Sequence, residues 1–186
     1  MGKVIAGMTM SLDGYVSDRN GSIDRLYPDL DALRETEWLQ EEIRTTGAVV
    51  MGRHAYEMGR GDFTGYEFQT PIFVLVHAMP AEVAKGENDK LRFTFVTDGV
   101  ASAIARAKEA AGDKDVVVIG GAQTFRQVLD AGLVDEIEVG IVPVLLGEGL
   151  RHFEHLNVGR IELEQLYVIE SPGRTDIRYR VHMVHP

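Results

Sequence analysis

Val116-Val117-Val118-Ile119-Gly120-Gly121-Ala122-Gln123-Thr124-Phe125 is where the chain is most explicit about its architecture. Four β-branched residues without a polar break read as a strand covered on both faces. Two glycines follow. Then come Phe125, Val128 and Leu129, spaced to share one side of a helix that ends near Gly132. A strand that passes through glycine directly into a helix belongs to α/β proteins, where parallel strands are joined by helical crossovers. The same order recurs upstream in Val49-Val50-Met51-Gly52-Arg53-His54-Ala55-Tyr56-Glu57.

Outward from these two junctions, unbroken apolar runs at Val4-Ile5-Ala6-Gly7-Met8, Ile72–Val76 and Phe93–Val96 supply more buried strands. Asp98 is placed to cap a helix carrying Val100, Ile104, Ala107 and Ala111 on one face and closed by Gly112. A helix around Trp38 carries Leu39 and Ile43 and stops at Gly47. The last third changes character. Ile137–Ile141, Ile161-Glu162-Leu163 and Ile177–Val181 alternate apolar with polar, which predicts half-buried, antiparallel strands. The expectation is a mixed sheet with a parallel body and an antiparallel C-terminal edge. A ligand would lie beyond the carboxyl ends of its parallel strands.

The 186 residues contain no cysteine, which removes disulfides, thiol nucleophiles and Cys-ligated metals from consideration. Nineteen Lys+Arg against 29 Asp+Glu leave a net charge of −10, unsuited to non-specific nucleic-acid binding. No apolar run approaches the ~20 residues of a membrane span, and no signal-peptide core is visible, so the cytoplasm is expected. No repeat or Pro/Ser-rich linker divides the chain, which reads as one domain over 1–186. His152 and His155 lie three apart, short of the three protein ligands a catalytic zinc takes, so no metal is expected.

Chemistry concentrates at the glycines. They let a phosphate approach the backbone, and the helix that follows offers free N–H groups and its positive dipole end. A tight turn with no ligand would use the same glycines. Arg53 and His54 add cationic donors at the upstream junction. In Met8-Thr9-Met10-Ser11-Leu12-Asp13-Gly14-Tyr15-Val16, the first strand ends in an Asp-Gly turn and a polar loop, Ser17 to Asp24, able to cover a site.

Gly52-Arg53-His54 after one buried strand and Val118-Ile119-Gly120-Gly121 before a helix resemble the two signature segments of the dihydrofolate reductases. Ser11-Leu12-Asp13-Gly14-Tyr15, with Pro143-Val144-Leu145-Leu146-Gly147-Glu148-Gly149, is more similar to a sister group. That group is the C-terminal reductase domain of the bifunctional deaminase-reductase of riboflavin biosynthesis and its stand-alone bacterial relatives. The resemblance runs from about Lys3 to Val184. It implies a three-layer α/β fold with a mixed eight-stranded sheet flanked by helices, NADPH as hydride donor, a small-molecule heterocyclic or ribosylamino substrate, and a homodimer. It places the cofactor on Gly52, Arg53, His54, Gly120, Gly121, Ala122, Gln123 and Thr124. His77 stands where the family usually supplies a hydroxyl to the adenosine phosphate. Asp13 becomes the candidate catalytic group and substrate contact. Glu35 and Glu37, beside Trp38, are the nearest matches to the acidic residue near a tryptophan that holds a pterin ring. A ribose phosphate would call on Arg19, Arg25 or Arg151. A dihydrofolate-type pterin reductase and a non-catalytic nucleotide-binding protein are the alternatives on the same fold.

Overall fold

The structure, a computed structural model, describes residues 2–28, 30–171 and 173–184. Ten strands are β1 (Val4–Ser11), β2 (Tyr15–Ser17), β3 (Thr46–Gly52), β4 (Ile72–Leu75), β5 (Phe93–Val96), β6 (Asp115–Ile119), β7 (Glu136–Val142), β8 (Leu150–Arg151), β9 (Ile161–Ser171) and β10 (Arg174–Met183). Five α-helices accompany them: α1 (Leu30–Arg34), α2 (Glu37–Thr45), α3 (Arg53–Met58), α4 (Val100–Ala111) and α5 (Ala122–Asp130).

Eight strands form one sheet in the order β5-β4-β3-β6-β1-β7-β10-β9, and β2 pairs with β8 in a small second sheet. The first six strands run parallel, with Val4 opposite Val116 and Ile5 opposite Glu136. β10 is antiparallel to β7, and β9 to β10. The mixed sheet with a parallel body and an antiparallel edge is therefore as expected.

Unbroken apolar runs are explained by the alternation of side chains across a strand. Val4, Ala6, Ala48, Val50, Val116 and Val118 face α4 and α5, where they meet Ala103, Ile104, Phe125, Val128 and Leu129. Val49, Met51, Ile72 and Val74 face the other way, onto Leu33, Leu39, Tyr56, Phe63 and Leu91. Helices thus cover both faces. Truncating the fully buried Phe125 to alanine would cost about 3–5 kcal/mol.

Two local expectations need correction. The helix after Asp98 is capped by Gly99, without a side-chain cap bond. Gly47 lies inside β3 and does not stop α2. It is small because a Cβ there would sit 2.8 Å from the Ala111 backbone at the end of α4.

A larger correction concerns β7. Its alternation predicts a half-exposed antiparallel strand, yet it runs parallel to β1 with Glu136 and Glu138 buried. Their carboxylates surround Arg178 of β10. Arg178 pairs directly with Glu138, and its Nη1 lies 3.4 Å from Glu136 and its Nη2 3.3 Å from Glu42 of α2. Burial, and then the Glu42 carboxylate, push Glu138 up to about 8; burial raises Glu42 as well. The polar positions of β7 face a buried cation and not solvent.

Candidate active site

The carboxyl ends of β1, β3, β4 and β6 open onto two adjoining cavities. The larger, about 550 Å³, is walled by Gly7, Met8 and Thr9 of β1, Met51 of β3, His54, Ala55 and Met58 of α3, and Ile119 to Ala122. Tyr27, Arg34, Asp62, Phe63, Tyr66 and Glu67 close its far side, and Leu150 of β8 lies at its edge. The smaller, about 340 Å³, is lined by Gly52, Arg53, His54, His77, Thr97, Gly99, Gly121, Gln123, Thr124 and Gln127, among others. His54 and Gly121 line both, so an extended ligand would pass between them.

Glycine is required at this passage for identifiable reasons. The Gly52 N–H donates to the Gly120 carbonyl at 3.1 Å, tying the two strand ends together. A Cβ on Gly52 would stand 2.3 Å from Thr124 Oγ1. Gly120 adopts a φ of +55°, and the peptide between Gly120 and Gly121 is cis. Gly121 differs: its φ is −78°, and a Cβ there would meet no protein atom within 4 Å. The space before Gly121 is therefore free. The helices behind the two turns, α3 and α5, begin without a side-chain cap bond. Their first-turn N–H groups remain available to an acceptor. Free N–H groups, open space at Gly121 and the donors of Arg53, His77 and Gln127 fit a dinucleotide whose phosphates lie across the two turns.

All nine predicted cofactor positions, Gly52, Arg53, His54, His77, Gly120, Gly121, Ala122, Gln123 and Thr124, line one or both of these cavities. Arg53 extends into solvent with its side chain 65% exposed, its Nε 2.6 Å from Glu57.

The three predicted substrate positions lie elsewhere. Asp13 accepts from Ser11 Oγ at 2.6 Å, from the Leu146 N–H at 3.1 Å and from the Gly147 N–H at 2.7 Å. The Ser11 hydroxyl and these backbone donors hold its carboxyl down to about 2. It pins the turn after β1 to the 145–147 loop and carries no proton near neutrality. Glu35 is exposed between α1 and α2. Trp38 lines a separate cavity of about 600 Å³ with Glu42, Glu136, Tyr167 and Arg178, under the amino ends of the strands. The three candidate phosphate clamps are also outside the two cavities. Arg19 pairs with Glu148 at 3.1 Å, Arg25 donates to the Leu145 carbonyl, and Arg151 donates to Tyr15 Oη.

Tyr27, Phe63, Tyr66 and Glu67 are cavity residues that the sequence analysis misses. The 59–71 segment carrying three of them has neither helical nor strand periodicity. Burial raises the Tyr27 and Tyr66 phenols, so both are neutral hydrogen-bonding groups. His152 is also distinctive. Fully buried, it lies between Phe125 and Phe153, ring centroids 4.2 and 4.1 Å away, and neither ring nitrogen has a partner among the described residues. His155 is 82% exposed, so the two histidines share no site.

Residues 2–171 match the family model of the RibD C-terminal domain. A crystal structure from Shewanella sp. PV-4, of a protein assigned by name to riboflavin biosynthesis, is 25% identical. The match covers 96% of this chain and 98% of that one, with a TM-score of 0.77. The diaminohydroxyphosphoribosylaminopyrimidine deaminase/5-amino-6-(5-phosphoribosylamino)uracil reductase of Thermotoga maritima is 16% identical with a TM-score of 0.71, over 96% of this chain and 56% of that one. Dihydrofolate reductase from Enterococcus faecalis, complexed with NADP(H), is 18% identical with a TM-score of 0.63, over 97% and 96%. The last two share the fold.

Proposed function

Because the chain belongs to the RibD C-terminal domain family, we propose that it is an NADPH-dependent reductase of the riboflavin-biosynthesis type, reducing a small heterocyclic substrate in the larger cavity. The observation that carries this reading is the pair of uncapped strand–glycine–helix junctions on neighbouring strands, opening onto cavities that share Gly121. When bound, the cofactor supplies the hydride.

The chain's own residues bind and orient. The first-turn N–H groups of α5 receive the pyrophosphate. Arg53 and His77, in the smaller cavity, take the additional phosphate that distinguishes NADPH from NADH. Gly7, with no side chain, leaves room for a flat ring against β1. Met8, Met51, Met58 and Phe63 exclude water from it. Thr9 and Tyr27 offer neutral hydroxyls to the substrate. Asp13, ionised and outside the cavity, keeps the first turn in place and does not donate a proton.

Calorimetric titration with NADPH and NADH tests the reading. Trp38 lines neither cavity, so heat, and not its fluorescence, is the signal to follow. Saturable NADPH binding is expected. Arg53→Ala should weaken it by about 1.5 kcal/mol, the lower end for a charged hydrogen bond given the exposure of this guanidinium, and spare NADH. No NADPH binding at millimolar cofactor would refute the proposal.

The homodimer is proposed on a separate ground. β9 leaves its outer edge unpaired over Ile161–Ser171 and exposes Leu163, Tyr167 and Val168. A long apolar edge strand is normally covered. Sedimentation should give twice the chain mass, and a charge placed at Val168 should halve it.

A further inference from the structure

Thr9 of β1, Gly140 of β7 and Asp176 of β10 stand in register on three neighbouring strands, so their side-chain positions share one face of the sheet. Gly140 leaves a trough between the other two. A Cβ there would overlap the guanidinium of Arg174 and the carboxylate of Asp176. Arg174, two residues before Asp176 on β10, lies in this trough. Its Nε donates to Asp176 Oδ2 at 2.8 Å, and its Nη2 pairs with Asp176 Oδ1. The same Nη2 reaches across to Thr9 Oγ1 at 3.3 Å. Both charged side chains are nearly sealed, 6% and 2% exposed. Stability alone is a poor reason for this arrangement. Desolvation offsets much of the attraction in a buried ion pair, and apolar residues of similar volume often pack there as well. A glycine inside a strand weakens it further. What the trough achieves is to bring a donor behind Thr9, which belongs to the wall of the larger cavity. Arginine has donors only, so Thr9 Oγ1 accepts and its own proton turns elsewhere. Tyr27 lines the same cavity; burial raises its phenol, and Thr9 and then Arg174 act against that rise. Whether the Thr9 proton goes straight to the cavity or by way of this phenol, the series that begins at Arg174 ends in an O–H facing the ligand.

We infer that Thr9, kept as a donor by Arg174, selects a carbonyl oxygen on the substrate; Thr9 is a specificity-determining contact, and Arg174 is a positioning residue that acts through it. The inference rests on the reading of the larger cavity as the substrate half of a reductase site. A heterocycle with a carbonyl on the edge facing β1 gains a hydrogen bond from a donor that is already oriented. One that presents a C–H or N–H there leaves the donor without an acceptor, and a site built around a polar contact rejects such a ligand strongly.

The test uses the whole protein saturated with NADP+, and calorimetry with 5-amino-6-(5-phosphoribosylamino)uracil, whose ring carries carbonyls, as the probe. Thr9→Val keeps the volume of the side chain and removes the hydroxyl. It should weaken the probe about tenfold and leave NADP+ binding unchanged. Thr9→Ser should keep most of the affinity. Arg174→Leu together with Asp176→Leu removes both charges and strands neither; it should weaken the probe several-fold. Adding Thr9→Val to that pair should cause no greater loss than Thr9→Val alone, because Arg174 reaches the ligand only through the hydroxyl. Urea midpoints establish that each variant is folded. If the paired replacement does not fold, Gly140→Ala, which displaces the guanidinium from the trough, takes its place in the cycle. Wild-type affinity in Thr9→Val overturns the inference. So do losses that add, a Thr9→Val loss that falls on NADP+, and failure of the wild type to bind the probe at millimolar concentration. Each of these, with NADPH still bound, leaves the cofactor reading standing. Loss of NADPH binding by the wild type removes the reductase reading instead.

Discussion

His152→Leu should flatten the acid limb of stability. The imidazole is fully enclosed between Phe125 and Phe153, and among the described residues neither nitrogen has a partner to hold a proton. Burial first, and the nearby Arg126 second, hold His152 down to about 4, against 6.5 for the free side chain. A histidine with a depressed folded pKa stabilises fully above 6.5. That stability drains away as the pH falls from 6.5 towards 4, because the unfolded chain takes up the proton first. At about 1.4 kcal/mol per unit, the window amounts to roughly 3 kcal/mol. Between pH 7 and pH 5 the histidine should account for about 2 kcal/mol of lost stability. Leucine, of similar volume, should leave stability at pH 7 within about 1.5 kcal/mol of wild type. Urea unfolding of both proteins at the two pH values isolates the contribution, since every other titrating group is common to them. Two parallel stability–pH curves would show that His152 does not titrate differently in the folded and unfolded chain, and the reasoning would fall.

Gly121→Val should abolish NADPH binding while leaving the urea midpoint nearly unchanged, because its side chain enters space that no protein atom occupies; retained binding would move the pyrophosphate elsewhere. Arg178→Leu should destabilise by about 3–5 kcal/mol, since it strands the buried carboxylates of Glu42, Glu136 and Glu138 without their cation; chemical denaturation measures it, and a loss under 1 kcal/mol would contradict the pairing. Asp13→Asn should lower stability through the loosened 145–147 loop and leave kcat near wild type; a folded variant with greatly reduced kcat would return Asp13 to the chemistry.

The parallel body and the cavity walls at the two glycine turns were legible because each depends on local grammar. Unbroken β-branched runs name buried strands, and glycine between strand and helix names the place where backbone meets ligand. Gly52 and Gly121 are adjacent in space because β3 and β6 are neighbours, an order that periodicity could not give. The far wall of the larger cavity was illegible for the same reason. Glu67 meets Arg34 across 33 residues, from a segment without period, and nothing local marks either side chain. β7 shows a different limit. Alternation reveals which residues share a side of a strand, but the water expected at Glu136 and Glu138 was displaced by an arginine 42 and 40 residues later.

β1 occupies the middle of the sheet, hydrogen-bonded on one side to β6 and on the other to β7. Val4 pairs with Val116, 112 positions further along the chain. On the ribosome, therefore, Val4 to Ser11 emerges as a bare apolar segment and stays without either neighbour while β3, α4 and the chain between them are made. At about 5–20 residues per second that wait lasts on the order of ten seconds, long compared with hydrophobic collapse. β3, β4 and β5 pair with one another during this time, but the slot between β6 and β7 does not yet exist. Insertion of β1 is thus a late event with a high loop-closure cost, and a nascent chain stalled before β6 presents an unpaired strand to any chaperone within reach.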